Sequence, residues 1–119
     1  MEKNLKSIFS EYKEQNIVSK IETCSKCRNL LLDSISLIPD SPHKRFKYAH
    51  YQNLVYRLAL GVDAKTYKDK KNIKSGGILA NLCDKELTKC SNLFINASIS
   101  ILLGDSFVET KNKLKECLK

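Results

Sequence analysis

Apolar residues along this chain recur every three to four positions and almost nowhere every two. Leu5, Ile8, Phe9 and Tyr12 place an amphipathic helix over residues 3–14. The pattern resumes at Ile17 and continues through Ile21, Cys24, Leu31, Ile35 and Ile38, with Val18, Cys27 and Leu32 widening the stripe. Pro39 and the Asp40-Ser41-Pro42 turn end it. Gln15 and Asn16 interrupt the apolar rhythm, and the pattern fits two helices or one long rod. This half of the chain, residues 1–40, reads as scaffold or self-association surface.

A second periodic run covers residues 48–60, with Tyr51, Leu54, Val55 and Leu58 on one face. It stops at Gly61, which can take positive φ without a Cβ penalty. After Val62, Asp63 suits an N-cap for a short basic helix beginning at Ala64. Helix, glycine turn and capped helix outline a helix-turn-helix, and equally any αα-hairpin. Tyr56, Leu60, Val62 and Tyr67 fall on the usual apolar positions of the former. Arg57 stands where a small residue normally allows close crossing, and Lys70 takes the last apolar place.

The link over residues 41–47 reads as a basic connection, with Ser41 suited to cap a helix and Pro42 to its first position. Lys44, Arg45 and Lys47 surround Phe46, and an ordinary loop with Phe46 packed inward is favoured over an arm along phosphates. Beyond Lys71 the chain turns through Asn72 to the flexible Ser75-Gly76-Gly77, then a short apolar run over 78–83. Asp84 is expected to cap the next helix, which puts Leu87 where a capping box wants Glu. Leu87, Cys90, Leu93, Phe94, Ala97, Ile101 and Leu102 form its core stripe, and Gly104 ends it. Ser106 and Glu109 make a capping box for a last helix that buries Phe107, Leu114, Cys117 and Leu118. The fold class is all-α: a compact bundle of about five to six helices, one domain over 1–119, with the hairpin-like unit in the middle and a helical pair over 78–119.

Composition supports an ordinary globular domain, with 42% hydrophobic and 29% charged residues. No apolar run reaches the ~18 residues of a membrane span, and the first residues carry acids without a signal-peptide core, so a cytoplasmic protein with no membrane partner is expected. Charge adds more. The formal net charge is +8, and it is uneven. Residues 1–40 balance six Lys/Arg with six Asp/Glu, and residues 81–119 set six against five. Residues 41–80 hold nine Lys/Arg against Asp63 and Asp69. That is either an electrostatic footprint for a polyanion or the solvated surface of a Lys-rich chain.

Five cysteines invite a metal reading. Cys24 and Cys27 form C-x-x-C, but inside a helix, and Cys83 and Cys90 lack knuckle spacing, so all five are read as core thiols. No phosphate-cradling glycine loop, zinc-protease motif or nucleophile elbow occurs, and no spacing gives His43 or His50 a partner carboxylate. The reading is a protein without enzymatic activity, cofactor or metal.

Residues 50–73, HYQNLVYRLALGVDAKTYKDKKNI, followed by ILANLCDKELTKCSNLF, resemble a stretch of phage and prophage antirepressor-type proteins, including those with KilA-N domains. The matching residues are Gly61, Ala64, Lys65, Tyr67 and Lys68, then Leu82, Asp84, Glu86 and Leu87. The likeness covers about residues 48–95 and implies a mobile-element context and a small helical accessory module. Two functions follow. One is a nucleic-acid-binding regulator, expected to prefer DNA over RNA and to act as a homodimer, contacting phosphates through Lys44, Arg45, Lys47, Arg57, Lys65, Thr66, Lys68, Lys71 and Lys74. The other is a protein-interaction module that inhibits a host defence or replication protein.

Overall fold

Residues 2–36 form one rod. Helix α1 (Glu2–Ser36) runs 35 residues without a break, because nothing between its ends is Gly or Pro and neither Gln15 nor Asn16 opposes a helix strongly enough to stop it. At 1.5 Å per residue it is ~52 Å long, and it accounts for most of the molecule's 62 Å long dimension. Leu37 and Ile38 close it with hydrogen bonds back to the carbonyls of Ser34 and Ile35, ahead of Pro39. The computed structural model describes residues 2–39, 44–73 and 77–118, and of residues 2–17, 44 and 45 only the helical backbone.

Four further helices follow among the described residues: α2 (Lys44–Leu60), α3 (Ala64–Lys70), α4 (Asp84–Leu102) and α5 (Phe107–Cys117), with a 3-10 turn at Leu79–Asn81 before α4. There is no strand among the described residues, and the all-helical expectation holds. No helix among them is long and apolar enough to cross a membrane. Basic residues 44–47 belong to the first turn of α2 instead of a loop, and Phe46 is half-exposed instead of inward. One helical turn on, its ring stacks with His50 at 6.3 Å. The expected cap at Ser41 and the turn at Ser75-Gly76 lie outside the described residues.

α4 is the centre of the molecule, and α1, α2 and α5 all pack on it. The pairing with α1 is the most extensive, and it is parallel: Lys20 pairs with Asp84, and Ser34 shares a hydrogen bond with Ser98. Both pairs are 64 residues apart, which fixes a common register. Cys24, Leu31 and Ile35 of α1, Val55 of α2, Leu87, Cys90, Leu93 and Phe94 of α4, and Leu114 of α5 have at most 1% exposure. Tyr56 meets Phe94 edge-on at 5.7 Å. The polar groups inside are paired: the Ser100 hydroxyl donates to Asp105 Oδ2 at 2.6 Å and lies 2.9 Å from Thr110 Oγ1. No buried side-chain N or O lacks a partner among the described residues, as the cost of an orphaned polar group requires.

Several expected details shift. Cys83, not Asp84, is the N-cap of α4, and its extended φ and ψ place Glu86 at the third helical position. Glu86 Oε1 there accepts from the Cys83 N–H at 2.9 Å. In α5, Thr110 and Leu114 are buried, while Phe107, Cys117 and Leu118 are exposed. Thr110 takes the inward place because Ser100 satisfies its hydroxyl. Leu102 is exposed as well. Of the thiols, Cys24, Cys27 and Cys90 are core residues, but Cys83 and Cys117 face solvent.

Candidate nucleic-acid interface

The joint between α2 and α3 is built as its residues dictate. Gly61 sits at φ 83°, with its N–H on the Arg57 carbonyl at 2.9 Å. Asp63, in extended backbone, accepts from the Thr66 N–H at 2.8 Å and so caps α3. That hydrogen bond, helped by the Arg57 and Lys65 charges, holds the Asp63 carboxyl below the usual carboxylate range. Arg57 Nη2 lies 3.8 Å from Asp63 Oδ2 and is otherwise well exposed. Arg57 stands outside the helix-helix contact, which is why a large residue is accepted where close-crossing helices need a small one.

α3 ends in a Schellman motif. The Asn72 N–H reaches the Asp69 carbonyl at 3.3 Å and the Ile73 N–H reaches Lys68 at 3.0 Å, with Asn72 at φ 54°. One side chain, Tyr67, anchors this short helix. It is buried, and its hydroxyl donates to Glu86 at 3.3 Å, the same carboxylate that closes the start of α4. Burial and the nearby Glu86 charge push the Tyr67 hydroxyl upward in pKa, so it stays a donor. With Tyr67 inward, Lys65, Asp69, Lys70 and Lys71 are exposed, and Thr66 and Lys68 are half-buried. Lys71 Nζ stands 5.9 Å from the centroid of the Tyr67 ring.

The nine basic-segment residues do not form one cluster. Lys44, Arg45 and Lys47 stand in the first turn of α2, and Arg57 lies thirteen residues beyond Lys44, ~20 Å along the helix. Lys47 Nζ donates to the Ile38 carbonyl at 3.0 Å and lies over the Tyr48 ring, so it ties α2 to the end of α1. The side chains of Lys44 and Arg45, and all of Lys74, lie outside the described residues. What comes together at the joint is Arg57, Lys65, Thr66, Lys68 and Lys71, with Lys70 added. A helix of seven residues, ~10 Å long, with its central tyrosine turned inward, presents lysines suited to phosphate oxygens more than a reading face for base edges.

The sequence reading missed Glu86 as the residue that fastens α3 to α4. Its signal was present as C-x-x-E at Cys83, hidden by taking Asp84 as the cap. Helical periodicity puts Cys24 and Cys90 in the core without pairing them with each other. A hydrogen bond between the buried Cys24 and Cys90 thiols lowers the pKa of Cys24 and raises that of Cys90, the latter in the same sense as its burial. Among the described residues no group of three metal-ligating side chains converges. The chain has no match among protein-family models, curated proteins or solved structures.

Proposed function

We propose that this protein binds nucleic acid, duplex DNA in the first instance, through phosphate contacts from the α2–α3 joint, as a regulator of phage or prophage type. The observation that carries the proposal is a charge imbalance at the joint. Lys65, Lys70 and Lys71 face solvent with only Asp69 exposed beside them, while Asp63, the other carboxylate of residues 41–80, is committed as the cap of α3. The likeness of residues 48–95 to antirepressor-type proteins supports the same reading. The lysines supply affinity and its salt dependence, and phosphate contacts of this kind select no base sequence.

The test is fluorescence anisotropy with random-sequence duplex DNA over a range of salt concentrations. Each phosphate engaged adds about 0.9 to the slope of log K against log salt. Lys65→Ala, Lys68→Ala and Lys71→Ala are expected to weaken binding and flatten the slope, most strongly at the exposed Lys65 and Lys71. Lys111→Ala is the control, because Lys113 pairs with Asp105 and serves the fold. Equal losses at Lys111 and the joint would reduce the effect to diffuse attraction. Absence of binding at low salt would transfer the basic face to an acidic protein partner, in keeping with an inhibitor.

A further inference from the structure

Among the described residues two phenylalanines are exposed, Phe46 at 50% and Phe107 at 37%, and both stand against one side chain. His50, one helical turn after Phe46 on the same face of α2, is itself exposed. Its ring lies 6.3 Å from that of Phe46, with the planes 22° apart, and 6.2 Å from that of Phe107 at the start of α5. Tyr51 supports the row from inside the fold, where it is buried and meets Phe107 edge-on at 5.1 Å. The core does not need the outer rings, since Tyr56, Tyr67 and Phe94 already fill it. The charges around the row have one sign. Lys44, Arg45 and Lys47 share the first turn of α2 with Phe46, that turn holds no acid, and residues 41–50 contain no Asp or Glu. The acids next to Phe107 in sequence are engaged: Asp105 pairs with Lys113, and Glu109 accepts from the Ser106 N–H at 3.3 Å.

We propose that Phe46, His50 and Phe107 form a stacking platform for unpaired bases of a single-stranded nucleic acid, on the order of two or three bases at a time. The inference rests on the nucleic-acid reading above and adds to it a second site with a different ligand. The α2–α3 joint offers cations, and its tyrosines, Tyr56 and Tyr67, are buried. The row offers open rings with cations in the same helical turn, the combination that holds a single strand by its phosphates and its base faces together. The two sites are separate. Phe46 precedes Arg57 by eleven residues of α2, ~16 Å along the helix. Spacing favours an unpaired strand. Steps of 6.3 and 6.2 Å between rings are nearly twice the ~3.4 Å rise of bases along a duplex strand, whose faces are covered by their neighbours. Unpaired bases can splay to that distance and lay their faces on the rings. An apolar protein segment would pack on leucines as well as on these rings and would gain nothing from the cations beside them.

The experiment is fluorescence anisotropy of the full chain with labelled oligo(dT) of about twelve nucleotides, run beside the random-sequence duplex. Oligo(dT) is expected to bind at low salt. Phe46→Leu and His50→Leu keep apolar bulk and remove the aromatic face, and each should weaken strand binding about tenfold. Duplex affinity and helical circular dichroism should stay unchanged in both. Phe46→Tyr and His50→Phe keep the face and should retain strand binding. Oligo(U) of the same length should bind comparably, because rings stack on the bases of either strand alike, and a strong preference for one sugar would overturn stacking as the basis of binding. No binding of oligo(dT) overturns the platform, as does binding that both leucine variants leave intact. Duplex binding lost in step with strand binding would merge the row with the joint and overturn it as a second site. Duplex binding without strand binding sinks this inference and leaves the joint standing, and strand binding without duplex binding does the reverse.

Discussion

At the scale of single residues, the strongest constraints are conformational. Gly61 and Gly104 have φ of 83° and 87°, and each follows a helix. A Cβ on Gly61 would meet nothing within 4 Å, so the cost of substituting it is backbone strain alone. Gly61→Val should destabilise by ~1 kcal/mol or more, Gly61→Ala by less, and Gly61→Asn least, because the left-handed region penalises β-branching most. Thermal melting of the three variants checks the order, and equal melting points would remove the positive φ. Asn72 does the same work at the end of α3 without being glycine, which is why Gly61 and Gly104 were legible and Asn72 was not. The thiols make a second residue-scale test. In the native protein a thiol reagent should titrate Cys83 and Cys117 quickly, and Cys24, Cys27 and Cys90 only after unfolding. Their apolar neighbours in sequence made all five look buried. Exposure depended on where two helices end, which periodicity does not specify.

At the scale of elements, most helices were legible because each apolar stripe has a period near 3.6 and the stops are chemical: Pro39, Gly61, Gly104. The start of α2 was not legible. Three cations crowd into its first turn, where the helix dipole opposes them, so the sequence resembles a loop. Lys47 offsets part of that by capping the end of α1. The start of α4 was misplaced by one residue because a thiol, a weak acceptor, stands at the N-cap. Cys83→Ser should therefore stabilise the protein by ~0.5 kcal/mol, read as a shift of the denaturant midpoint at constant slope. Glu86→Ala should cost more than the loss of a capping residue alone, because it also releases Tyr67 and with it α3. Hydrogen exchange would show this as amides of α3 opening ahead of those of α4. If both helices stay equally protected, the tether is unimportant.

At the scale of the molecule, the sequence places the basic hairpin in the middle, yet the chain is organised around α4. That could not be read locally, because α4 owes its place to partners on both sides of it in sequence. Acid stability is also a property of these long-range ties. The Lys113 charge and the Ser100 hydroxyl hold the Asp105 carboxyl below its usual range, as the Thr66 N–H does for Asp63. A depressed folded pKa contributes stability that is present above the unfolded value, near 4, and is lost as pH falls through the folded one. The melting temperature should thus drop on acidification below about pH 4, and Asp105→Asn should flatten that dependence. A variant with the parent's full acid sensitivity would exclude Asp105 as a contributor.

The parallel register of α1 on α4 has a consequence for how the protein is made. Described residues of α1 on the α4 side, such as Ser34, wait for a partner 64 positions later in the chain. On a ribosome, the stripe of Cys24, Leu31 and Ile35 emerges first and stays uncovered until α4 has been synthesised. Long-range closure of this kind folds slowly and exposes sticky surface in the interval. The nascent chain therefore carries that apolar stripe uncovered until Ser98 has emerged from the exit tunnel.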